Sequence, residues 1–143
     1  MIMLFSNFTE RARIAISEAH DTACALGHRY IGSEHLVAGL MKEGSGVAAK
    51  VLENAGITAD QVVDKIAELT GSNEPLSEES ELPLTPRTKR ILQLAAMEAR
   101  QMGHNYIGTE HILIAVLRDS DSVGVRVLLS LGLNLQHVYE DIA

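Results

Sequence analysis

The sequence predicts an all-α fold built from two tandem four-helix repeats, and three observations lead there. The chain is 46% apolar, yet only 3% aromatic with no Trp, so Ala, Leu, Ile and Val supply most of the apolar mass. Small and straight-chain apolar side chains suit closely packed helices better than pleated sheets. The chain also repeats itself: a constant shift of about 76 positions lays Gly27-His28-Arg29-Tyr30-Ile31-Gly32-Ser33-Glu34-His35 over Gly103-His104-Asn105-Tyr106-Ile107-Gly108-Thr109-Glu110-His111. The same shift, without a gap, pairs Phe8 with Leu84, Thr9 with Thr85, Arg11 with Arg87, Val51-Leu52 with Val127-Leu128 and Gly56 with Gly132. Finally, Ala12, Ala15, Ile16, Ala19, Ala23 and Leu26 recur at helical spacing, and Thr88, Ile91, Leu92, Ala95, Ala99 and Met102 repeat that stripe.

Each element of the repeat has its own start and stop signals. Thr9 is a natural N-cap of the first helix, and Thr85-Pro86 repeats the cap with proline at the first helical position, where a missing N–H costs nothing. Gly27 and Gly103 end these helices. Ser33 and Thr109 are expected to cap the second helix, with Glu34 and Glu110 in its first turn, where the macrodipole favours negative charge. That helix runs to Lys42 or Arg118; a short third spans Gly46 to Asn54, or Ser122 to Leu131, and stops at Gly56 or Gly132. The fourth begins at Thr58, where Gln61 completes a capping box, and at Asn134 in the second copy.

Between the copies, Gly71 to Pro83 carries Ser, Asn, Pro and four glutamates, so it reads as an exposed and mobile linker. Repeat one covers 8–70 and repeat two 84–143. Four short helices bury little core alone, so the copies are expected to dock about a pseudo-two-fold axis into one domain spanning 1–143.

Several functional classes are disfavoured. A formal charge of -7 repels nucleic-acid backbones and anionic membranes, so neither is an expected partner. No apolar run approaches the roughly 18 residues of a membrane span, and Met1 to Phe5 is too short for a signal-peptide core. Cys24, the lone cysteine, sits in a helical pattern as a buried or half-buried thiol, which suits a reducing cytoplasm. GxxxxGK[ST], HExxH and GxSxG are all absent, so no nucleotide, metal or other cofactor and no catalysis are expected. The repeated histidines His28, His35, His104 and His111 read instead as hydrogen-bonding residues that hold the loop against the next helix.

The repeated G-H-x-Y-I-G-[ST]-E-H, preceded by Phe8-Thr9-Glu10-Arg11 in one copy and Leu84-Thr85-Pro86-Arg87 in the other, resembles the double repeat of Clp N-terminal domains, in particular the ClpC branch of AAA+ protein-unfolding ATPases. The resemblance covers residues 5 to 143. It implies a non-catalytic domain above a hexameric AAA+ ring that receives adaptor proteins of the MecA and McsB kind and binds phosphoarginine as a degradation mark. It places phosphoarginine contacts on Thr9 and Glu34 in copy one and on Thr85 and Glu110 in copy two, giving two equivalent pockets. Chemically the residues suit that ligand: a capped helix start offers hydroxyl and N–H donors to phosphate, and a carboxylate binds guanidinium. Arg11 and Arg87 follow the caps as possible phosphate support. Phe8 and Leu84, if exposed and paired across the dyad, form a docking patch of the kind the family uses for cyclic-peptide antibiotics. The second copy departs at Arg118-Asp119-Ser120-Asp121-Ser122-Val123, which lacks the glycines of Lys42-Glu43-Gly44-Ser45-Gly46-Val47; a helix start capped by Ser120 or Ser122 is expected there, and the change bears on adaptor contact through that loop.

Overall fold

The computed structural model describes residues 7–142; Met1 to Phe5, read above as no signal core, lies outside them. Among the described residues there are eight helices: α1 (Glu10–Ala25), α2 (Ser33–Glu43), α3 (Val47–Asn54), α4 (Ala59–Thr70), α5 (Pro86–Gln101), α6 (Thr109–Arg118), α7 (Val123–Ser130) and α8 (Leu135–Ile142). None is long and apolar enough to cross a membrane.

α1 and α5 start as expected. Thr9 Oγ1 accepts from the Ala12 N–H at 3.1 Å and Thr85 Oγ1 from the Thr88 N–H at 3.0 Å, satisfying a donor that the helix itself cannot. Both helices end at glycines with positive φ, +71° at Gly27 and +77° at Gly103. Of the two stripes, all is buried or half-buried except Met102, which is 37% exposed at the C-cap of α5.

α2 and α6 form the centre. Every residue from 33 to 41 of α2 and from 111 to 117 of α6 is buried, so these helices are enclosed on all sides rather than on one stripe. α1 lies along α2 so closely that a Cβ on Gly39 would stand 2.1 Å from the Ala15 carbonyl oxygen. The counterpart on α6 is Ala115, fully buried, so the second hairpin leaves room for a methyl. A single cluster joins Leu36, Leu40 and Leu52 of copy one to Ile112, Leu113 and Leu128 of copy two.

The copies exchange contacts reciprocally. The Thr9 N–H donates to the Ile107 carbonyl and the Ile107 N–H to Asn7; likewise the Thr85 N–H donates to Ile31 and the Ile31 N–H to Pro83. Each copy's entry strand therefore pairs with the other copy's loop, in two parallel bridges, Phe8 with Ile107 and Leu84 with Ile31.

Two expectations are corrected here. Ser33 and Thr109 are not N-caps: Gly32 and Gly108 take that place, because the hydroxyls are used across the repeats. Ser33 Oγ accepts from the Gly124 N–H at 2.8 Å and Thr109 Oγ1 from the Ala48 N–H at 3.2 Å, so each copy's second helix caps the other's third. The linker is exposed but not loose. Asn73 and Leu76 donate their N–H groups to the carbonyls of Leu26 and Cys24 at the end of α1, and His20 Nε2 lies 2.6 Å from the Ser80 carbonyl. The remaining signals hold: Thr58 and Gln61 form their capping box, Asn134 accepts from the His137 N–H, and Ser122, not Ser120, caps α7. Cys24 is buried.

Candidate functional site

The loop before each central helix is held by a chain of hydrogen bonds whose protons can be assigned. His35 Nδ1 lies 2.8 Å from the Gly32 nitrogen, so it must accept; its proton sits on Nε2, which donates to His28 Nδ1 at 2.8 Å. That leaves His28 Nε2–H to donate to the Gly71 carbonyl at 2.8 Å. Both rings are neutral in this arrangement, and burial lowers His35 to a pKa of about 3. The second copy repeats the first two links through His111 and His104, with His111 lowered by burial too. Tyr30 and Tyr106 stack on His28 and His104 with ring centroids 5.6 and 4.9 Å apart. The histidines thus hold the loop, and no group of three or more His, Cys, Asp or Glu poised to hold a metal occurs among the described residues.

Fixing this loop places the two glutamates. In the first turn of each central helix the carboxylate folds back over the N-cap glycine: a Cβ would lie 2.3 Å from Glu34 Oε1 at Gly32 and 2.4 Å from Glu110 Oε1 at Gly108. Glycine is therefore required by the carboxylate's position, since φ is an ordinary -101° and -99°.

The threonine–glutamate pairs are not those expected. α1 and α2 form an antiparallel hairpin, so Thr9 and Glu34 stand at opposite ends of a 16-residue helix about 24 Å long. The bridge from Thr9 to Ile107 sets Thr9 beside Glu110 of the other copy, and together with Glu10, Arg11, Gly46, Val47, Tyr106, Gly108 and Thr109 they line one cleft of about 350 Å³. By the reciprocal bridge, Thr85 stands beside the loop that leads into Glu34. The Thr9–Glu110 cleft is thus shared between repeats. A larger concavity of about 680 Å³, between Tyr30 and the linker residues Asn73 and Leu76, contains neither threonine.

The remaining candidates divide. Arg11 lines the first cleft, whereas Arg87 is drawn to Asp119 at 3.4 Å. Phe8 is 4% exposed and Leu84 half-buried against the core, so Phe8 offers no surface for a docking patch; the bridges turn it inward. Sequence reasoning missed Tyr30, whose hydroxyl donates to Glu34 Oε2 at 3.4 Å, and Gly46, which brings α3 onto Thr109. The repetition of the tyrosine in both copies of G-H-x-Y-I-G was a signal for the first; the second was marked only as part of a glycine-bearing loop at the start of the third helix, not as a wall of the cleft.

The profile of the Clp repeat (R) N-terminal domain family matches residues 7–131. The chain belongs to the Clp repeat N-terminal domain family. Its sequence is 39% identical over 140 residues to the Bacillus subtilis negative regulator of genetic competence ClpC/MecB, covering 98% of this chain and 17% of that protein. It is 44% identical over 133 residues to the Staphylococcus aureus Clp protease ATP-binding subunit ClpC, covering 93% of this chain and 16% of that one. This Clp N-domain thus spans about a sixth of the length of the curated relatives it matches. Among solved structures, the N-terminal domain of the chaperone ClpD from Arabidopsis thaliana superposes with a TM-score of 0.82 at 28% identity, covering 96% of each chain. A ClpV N-domain in complex with a VipB peptide shares the fold, with a TM-score of 0.67 at 22% identity over 84% of this chain and 73% of that one.

Proposed function

We propose that this domain is the recognition module of a ClpC-type unfoldase, and that it captures arginine-phosphorylated protein segments, free or presented by adaptors, for an AAA+ ring. The single observation behind this reading is the cleft in which a capped helix tip and a carboxylate face each other across the repeats. The two ends of the ligand have different needs. At the α1 tip the Glu10 and Arg11 N–H groups meet no protein acceptor among the described residues, and with the Thr9 hydroxyl and Arg11 they suit a phosphate. Glu110 then grips the guanidinium, and a charge-assisted bond of that kind contributes about 1.5–3 kcal/mol.

Titrating the domain with phosphoarginine tests this directly. Saturable binding that Glu34→Ala combined with Glu110→Ala abolishes is the expected result; unchanged affinity in the double variant rules the site out. A second reading is adaptor docking without phosphoarginine, favoured by the exposed apolar side chains Ile14, Val47, Met97 and Leu129. Capture of a MecA-like adaptor that survives excess phosphoarginine would support it.

A further inference from the structure

The linker is fastened to α1 by a histidine that the repeat itself does not require. The internal shift puts Ala96, Met97 and Arg100 where copy one has His20, Asp21 and Cys24, so this trio belongs to copy one alone, the copy whose first helix carries the linker. His20 Nδ1 lies 2.9 Å from Asp21 Oδ1, and its Nε2 lies 2.6 Å from the Ser80 carbonyl oxygen. An ionised carboxylate and a carbonyl can only accept, so both ring nitrogens have to donate, and the imidazolium is the one form of the ring with two N–H groups. The charges facing the ring are Asp21 from α1 and Glu78 from the linker; the Cys24 thiol, one turn along α1, lies 3.7 Å from Nε2. The Asp21 hydrogen bond first, then the Ser80 carbonyl, hold the ring's pKa above the ordinary histidine value against the opposing effect of burial, and the charges of Asp21 and Glu78 add to them.

The two nitrogens are not equivalent when the ring gives up a proton. Taken from Nδ1, it would leave a lone pair facing a full negative charge on Asp21; taken from Nε2, it leaves a lone pair facing the neutral Ser80 carbonyl, and the Cys24 thiol can then donate to that nitrogen. The proton therefore leaves Nε2, and the bond that opens is the one to the linker. Ser80 lies between two points where the linker is tied down: Leu76, whose N–H donates to the Cys24 carbonyl, and Pro83, whose carbonyl accepts from Ile31. Asn73 to Leu76 form a wall of the concavity of about 680 Å³ that faces Tyr30. We propose that His20 is a proton-operated clasp: as an imidazolium bridging Asp21 and Ser80 it holds the linker down on α1, and as a neutral ring it releases the linker at Ser80 and loosens that wall. Because the folded value is raised, the clasp is fully engaged below the unfolded value of about 6.5 and is lost as pH rises through the folded one.

Two measurements on the intact chain, neither of which involves phosphoarginine, test this. Long-range proton–nitrogen NMR spectra of the histidine rings should show His20 protonated on both nitrogens at about pH 6, titrating with a midpoint above about 6.5 and keeping its proton on Nδ1 afterwards. Amide exchange, expressed as protection factors so that the intrinsic effect of pH cancels, should show Leu76 and Ser80 losing about tenfold in protection across the same midpoint, while Leu92 in the core of α5 changes little. His20→Gln keeps a donor but cannot titrate, and should make linker protection independent of pH. Asp21→Asn should move the ring midpoint and the loss of protection to lower pH together. A midpoint at or below about 6.5, a neutral ring that keeps its proton on Nε2, or linker protection that does not follow the His20 titration would overturn the clasp. So would a His20→Gln variant whose linker still loses protection over the same range.

Discussion

A proton added to His35 Nδ1 would face the Gly32 N–H, so the folded protein resists charging this buried ring. The unfolded chain has no such constraint and takes up this proton near pH 6.5. Because the folded pKa of His35 is depressed to about 3, the unfolded state binds more protons throughout that interval, and stability is lost as pH falls from 6.5 toward 3. Glu34 acts in the opposite sense, since its raised pKa gains stability as pH falls. In a Glu34→Gln background, urea unfolding between pH 7.5 and 5 should therefore show a decline approaching about 1.4 kcal/mol per pH unit from His35. A flat profile would contradict the assigned tautomers. Two glycines separate fold from function at the same scale. Gly39→Ala drives a methyl into the α1 backbone and should cost about 1–3 kcal/mol in unfolding free energy. Gly108→Ala meets only the tip of the Glu110 side chain; it should leave the melting temperature nearly unchanged while weakening phosphoarginine binding about tenfold.

Between elements, the cross-repeat caps carry the argument. α3 begins at Gly46, which has no side chain to cap it, and the Ala48 N–H is satisfied by Thr109 of the other copy. Thr109→Val keeps the shape and removes the acceptor, leaving a buried N–H unpaired at a cost of about 1–3 kcal/mol, measurable by chemical denaturation. Ser33→Ala should cost α7 a similar amount, because Ser122 Oγ accepts from the Val125 N–H and the buried Gly124 N–H has Ser33 Oγ as its acceptor. Of these elements the sequence displayed the starts and stops well: Thr9, Thr85, Thr58 and Asn134 act locally, through bonds to residues three positions away. Ser33 and Thr109 carried the same local signal and were misassigned, since their partners lie 91 and 61 positions away, beyond the reach of any local rule. The linker was misjudged for the same reason. Its composition cannot bury itself, but its backbone N–H groups find carbonyl acceptors at the end of α1.

Across the whole molecule, α2 and α6 need both copies to be enclosed, and each loop is paired with the other copy's entry strand. A fragment comprising residues 7–75 or 76–143 alone should therefore lack a cooperative thermal transition by circular dichroism, and mixing the two should restore one. An isolated half that melts cooperatively would show that the shared core is dispensable.

The duplication, the helix count and the buried stripes follow from the sequence by itself, because they rest on periodicity and on caps that act within one turn. So does the choice of chemistry at Thr9 and Glu110, which residue type and the family motif supply. Which threonine faces which glutamate was decided by tertiary structure, through the crossed bridges that join each entry strand to the opposite loop. The helix lengths already forbade pairing within a copy, since a hairpin separates its two ends by the length of α1. The unequal exposure of Glu34 and Glu110 is likewise tertiary: the identical tyrosine and glutamate of the two motifs differ in what the rest of the chain packs around them.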